Sequence, residues 1–142
     1  MIDHDLRHLT FAQLDRTEGI ADVLPASGEK YPLPAWYRTV RDVPLEKLAL
    51  EDICKACRQQ IHLEQVVPLA LTLLESDPLA GEMYDGELLT SLNAVPRDYW
   101  SSHEAERQSL KAMIEAALSA ETIADNVRQD ADELFRKAAS LV

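Results

Sequence analysis

Apolar positions recur along this chain at helical spacing, and polar or proline punctuation separates the periodic stretches. Thr10 and Gln13 stand three apart, the spacing of a capping box, and open a short helix carrying Leu14; Leu6 and Leu9 extend it backward to Asp5. From Gly19 to Pro34 the chain holds Pro25, Gly28, Pro32 and Pro34 without a sustained period. This reads as a long extended loop, with Val23, Leu24, Tyr31 and Leu33 available to pin it to a core. Pro34 then serves as the first residue of a short helix through Trp36, Tyr37 and Val40, ending before Pro44.

The pattern tightens after Pro44. Leu50, Ile53, Cys54, Cys57 and Ile61 fall on one face of a helix over about Leu48–Gln60. A second helix over about Glu64–Ser76 carries Val66, Val67, Leu69, Ala70, Leu73 and Leu74, with Pro68 early enough to be tolerated. The short link between them, at His62-Leu63, predicts an antiparallel hairpin. Asp77-Pro78 stops the second helix, and another covers about Gly86–Ala94, closed by Pro96. Ser101 and Glu104 form a second capping-box candidate. Beyond them no Pro or Gly occurs, and two further helices meet near Ser119-Ala120, one with Met113, Ile114, Ala117 and Leu118, the other with Ile123, Val127, Ala131, Leu134, Ala138 and Leu141. Leu69, Leu73, Leu74, Leu88, Leu89 and Leu92 are expected at the packed centre. Alternating β-branched runs are scarce. The fold class is all-α: a compact bundle of about six helices with a long N-terminal loop, in one domain spanning residues 1–142.

Composition changes the picture mainly through charge. At 46% apolar and 27% charged the chain reads as an ordinary soluble globule. No apolar run approaches the roughly 18 residues of a membrane span. The first residues lack the order of a signal peptide, and two cysteines make no disulfide framework, which together point to the cytoplasm. Fourteen Lys and Arg against 25 Asp and Glu leave a net charge of −11, which repels nucleic acid and anionic lipid and attracts basic partners. From Glu75 to Glu106 the imbalance is eight acids to the single base Arg97, around the segment richest in turns.

Candidate chemistry is thin. Cys54 and Cys57 have the letters of a redox or zinc motif, but they fall in mid-helix on the apolar stripe, with no second cysteine pair. His4 and His8 share a helical face without the H-E-x-x-H context of a metalloprotease. His62 and His103 stand alone, His62 as a cap or bridge of the helix connection. No Glu-x-x-His occurs to build a bundle metal site, and no Gly-rich phosphate loop exists among four glycines. No cofactor is expected. The acids Glu75, Glu82, Asp85, Glu87, Asp98 and Glu104, with Tyr84 as an aromatic anchor, form a candidate protein-binding patch; a solvated face is the competing reading.

One family shares this order of residues. Pro44-Leu45, Glu51-Asp52-Ile53, Arg58-Gln59-Gln60-Ile61-His62-Leu63, Val67-Pro68-Leu69-Ala70-Leu71, Leu74, Asp77-Pro78-Leu79, Tyr84, Gly86-Glu87-Leu88-Leu89 and Tyr99-Trp100 resemble the recurring pattern of immunity proteins from bacterial contact-dependent growth inhibition systems, over roughly residues 10–100. His62 stands where that pattern favours glycine, and Glu87 where it favours aspartate. The Trp-Gly pair expected after the first short helix is not evident near Glu18-Gly19. The resemblance implies a protein that is not an enzyme and that binds and neutralises a cognate toxin C-terminal domain. Such toxins are commonly nucleases, hence basic, and the acidic patch suits one. The alternative is a metal-binding or small-molecule-binding helical-bundle enzyme or sensor.

Overall fold

The computed structural model describes residues 8–17, 32–121 and 123–139, which divide between two compact units, Met1–Ala49 and Leu50–Val142. In the first unit the Thr10–Gln13 capping box forms as its spacing predicts. Gln13 N–H donates to Thr10 Oγ1 at 3.1 Å, and Thr10 N–H donates to Gln13 Oε1 at 2.9 Å. Because Thr10 is the cap, α1 runs Phe11–Thr17 and does not extend backward through Leu9, whose carbonyl accepts the Leu45 N–H instead. Asp5 and Leu6 lie outside the described residues. So does the expected loop as far as Tyr31; Pro32 already opens α2 (Pro32–Val40), two residues before the expected start. The ring of Tyr37 on α2 stacks on Phe11 at 5.5 Å between centroids, and its hydroxyl donates to the buried Asp15 carboxylate at 2.7 Å. A 3₁₀ turn at Leu45–Lys47 follows.

The second unit is built from α3 (Leu50–Arg58), α4 (Leu63–Ser76), α5 (Glu87–Ser91), a 3₁₀ turn at Leu92–Ala94, α6 (Arg97–Ser102), α7 (Glu104–Leu118) and α8 (Asp125–Ala139). The described residues therefore hold eight α-helices and no strand, where about six helices were expected. One additional helix arises between Gly86 and Glu104. There Pro96 starts a separate short helix, and α7 begins at once behind it. The Ser101–Glu104 capping box does not form, because Ser101 and Ser102 close α6. Ser102 Oγ donates back to the Asp98 carbonyl at 2.9 Å, and His103 becomes the joint. Two helices, α7 and α8, do follow, broken after Leu118 as the apolar phase predicts.

The α3–α4 hairpin turns on two residues in left-handed conformation. Ile61 N–H reaches the Ala56 carbonyl at 2.9 Å and Gln60 N–H the Cys57 carbonyl at 3.1 Å, the paired bonds of a Schellman motif, with Gln60 at φ 57°. His62, at φ 45° and ψ 52°, is the N-cap residue of α4. That backbone is the one glycine adopts most freely.

The core of this unit packs Ile53, Cys54, Ala56 and Cys57 of α3 with Val66, Val67, Ala70 and Leu74 of α4. Leu88, Leu89, Leu92, Trp100, Leu110, Ile114, Val127, Ala131 and Leu134 complete it. Two of the expected core leucines are misplaced. Leu69 is only half-buried, and Leu73 is 37% exposed. The apolar stripe of α4 is wider than the arc that finds partners. At about 100° per residue, Val66, Val67, Ala70 and Leu74 share the packed arc, and Leu69 and Leu73 fall beside it.

Candidate functional site

The connection between α4 and α5 is a tight turn built from the inside. Asp77 ends the helix with a side-chain turn, its Oδ1 accepting from Leu79 N–H at 3.0 Å, and its carbonyl accepts from Ala80 N–H at 3.0 Å. The chain returns through Gly86 N–H to the Leu79 carbonyl, 2.8 Å, and Leu88 N–H to the Ala80 carbonyl, 3.1 Å. Gly81 is required by contact: a Cβ there would stand 1.9 Å from the Tyr84 carbonyl oxygen. Gly86 is required by conformation and space, at φ 91° with any Cβ 2.5 Å from Val127.

Glu87 holds this turn. It is 2% exposed, and its Oε1 accepts the backbone N–H groups of both Glu82 and Met83 at 3.0 Å. Its Oε2 faces Arg58 Nη1 at 3.5 Å. The same guanidinium nitrogen donates to Ser91 Oγ at 2.9 Å, and Ser91 in turn donates to the Glu87 carbonyl at 2.8 Å. Burial alone would raise the Glu87 pKa. The two backbone donors and Arg58 outweigh it and hold the carboxyl below its ordinary value.

Of the candidate patch, Glu82, Tyr84 and Asp85 are exposed together on this turn, and Glu75 is exposed on the last turn of α4 that feeds it. Glu75 also lines a shallow groove of about 270 Å³ with Leu74, Pro78, Ser109, Ala112, Met113 and Ala116. Asp98 and Glu104 are exposed on α6 and α7, separate elements. Glu87, by contrast with the expectation, is interior, held beneath the turn by its backbone and Arg58 partners, and is not part of the exposed patch. Met83, 72% exposed beside Tyr84 at 43%, shares this turn and is not among the expected patch residues. The available signal was a large apolar residue in a non-periodic stretch between Gly81 and Gly86, where no helical face exists to bury it.

The remaining candidates sit elsewhere. Cys54 and Cys57 are free, buried thiols, pushed by burial to pKa values of about 11 and about 12, with the Glu87 charge adding at Cys54 and Cys54 itself at Cys57. His4 lies outside the described residues, and exposed His8 pairs with Glu46 at 2.8 Å. His103 is far from alone. Its ring stacks on Tyr99 at 3.8 Å, its Nδ1 lies 2.7 Å from the Tyr99 carbonyl, and its Nε2 lies 3.0 Å from Glu64 Oε1. Desolvation opposes protonation there, but Glu64 and the carbonyl prevail and raise its pKa. Among the described residues no group of three or more His, Cys, Asp or Glu is placed to hold a metal ion, and no helix is long and apolar enough to cross a membrane.

Compared with known families, residues 21–110 match the model of the CDI immunity proteins. The chain belongs to that family, the immunity proteins of contact-dependent growth inhibition. No curated protein matches the chain. The matched stretch takes in Arg58 and the whole turn from Asp77 to Glu87 that it helps to hold.

Proposed function

We propose that this protein is a cytoplasmic antidote. It binds the C-terminal domain of a cognate contact-dependent growth inhibition toxin and covers its active site or the path of substrate to it, catalysing nothing itself. The observation that carries this reading is the family match over residues 21–110. The match runs across the boundary between the two compact units, which supports treating residues 1–142 as one immunity-protein-like domain. The net charge of −11 favours a basic toxin, and among basic toxins a nuclease, whose own substrate is a polyanion.

The surface offered to the toxin is the exposed part of the acidic patch: Glu75, Glu82, Tyr84, Asp85, Asp98 and Glu104, with Glu87 supporting the turn from beneath. Titrating the purified protein into the toxin domain encoded in the neighbouring reading frame, with nucleic acid cleavage as the readout, tests this. Activity should fall linearly to zero at one equivalent. A toxin that stays active with excess protein present contradicts the reading.

A further inference from the structure

The large apolar side chains exposed among the described residues are Leu73, Met83 and Tyr84, all within the end of α4 and the turn that follows it. The turn that presents Met83 and Tyr84 is held by several hydrogen bonds. The carboxylate of Glu87 holds the N–H groups of Glu82 and Met83, Asp77 closes one end, and Gly81 admits no side chain. None of this buries Met83 or Tyr84. The backbone beneath them is fixed while their side chains are left in solvent.

Acids predominate along this segment. From Glu75 to Pro96 the sequence holds no Lys, Arg or His, and exposed Glu82 and Asp85 flank the apolar pair in sequence, while Arg58 is turned to Glu87 beneath the turn. An apolar tip flanked by carboxylates complements an apolar socket rimmed by Lys and Arg. Tyr84 offers a ring face to a cation, and Met83 an adaptable thioether that moulds to an irregular wall. A tip already fixed before contact loses little backbone entropy on binding.

We propose that Met83 and Tyr84 are the anchor of the toxin interface, inserted as a preformed unit into a basic-rimmed apolar socket of the toxin domain, with Glu82 and Asp85 as the rim. The inference rests on the immunity reading and names the part of the surface that carries its affinity. The roles divide kinetically: the rim acids speed arrival, and the anchor slows departure.

The test measures association and dissociation rates of the toxin domain encoded beside this chain, using the full-length protein. Met83→Ala and Tyr84→Ala each change an exposed side chain and should leave the melting temperature unchanged. The double variant should dissociate at least roughly 30-fold faster, the scale of a hot spot, with its association rate preserved. Glu82→Gln with Asp85→Asn should instead slow association at low salt. If the wild type binds and the Met83/Tyr84 double variant keeps its dissociation rate within about twofold, the anchor is elsewhere and the proposal is overturned while the immunity reading stands. If the wild type does not bind the toxin domain, both fall together.

Discussion

Glu87 is the residue whose environment departs most from what its neighbours in sequence suggest. A carboxylate at the first position of a helix ordinarily points to solvent and favours the helix N-terminus. Here the side chain turns inward to collect two backbone donors and Arg58. Its folded-state pKa is depressed, so its contribution is present at neutral pH and is lost as pH falls below the ordinary carboxylate value of 4.5 and through its lower folded value. Glu87→Ala should cost about 2–4 kcal/mol in urea denaturation at pH 7, because charged hydrogen bonds are lost and two N–H groups are stranded. The wild-type advantage over the variant should shrink steadily below pH 4.5. A constant difference down to pH 2 would show that the carboxylate is not the latch. The leucines of α4 give a second comparison. Leu74→Ala should cost about 2–5 kcal/mol and the partly covered Leu73→Ala about 1 kcal/mol, with equal losses showing that the packed arc is misassigned.

At the scale of elements, local signals were sufficient wherever neighbours in sequence decide the outcome. The Thr10–Gln13 cap, the α3–α4 hairpin and the break between α7 and α8 all follow from spacing and punctuation within one or two turns. Apart from the Ser101–Glu104 box, lost to the local closure of α6, what was not legible depends largely on distant partners. Glu87 turns inward onto the N–H groups of Glu82 and Met83 and towards Arg58, 29 residues upstream, and Leu73 is exposed because the second unit packs a narrower arc of α4 than its apolar stripe offers. His103, the joint between α6 and α7, also has a distant partner in Glu64, 39 residues away, whose Oε1 lies 3.0 Å from its Nε2. The turn after α4 is the element on which the candidate site depends, and Gly81 is its most constrained point. Gly81→Ala drives a Cβ into backbone at the Tyr84 carbonyl, where no side chain can swing away. The turn should rearrange, with amide protection lost at Glu82 and Met83 in hydrogen exchange while α7 and α8 keep theirs. Unchanged protection at those two amides would mean that the turn is looser than its hydrogen bonds indicate.

For the whole molecule, the dominant physical fact is a net charge of −11 carried by a protein of an immunity family. Charge of that size acts over the screening length before any contact forms, and it sets how fast a basic partner arrives more than how long it stays. The sequence made this property legible at once. Which acids are exposed was not, because Glu87 is drawn inward by Arg58 and the N–H groups of Glu82 and Met83 while Glu82 and Asp85 stay in solvent. The central claim is that this protein captures a cognate toxin domain. The most direct measurement is titration calorimetry of the protein with its cognate toxin domain, at two salt concentrations. A one-to-one complex with a Kd in the nanomolar range or tighter, weakening as salt rises, is the predicted result. Absence of heat and of complex formation at micromolar concentrations would contradict it.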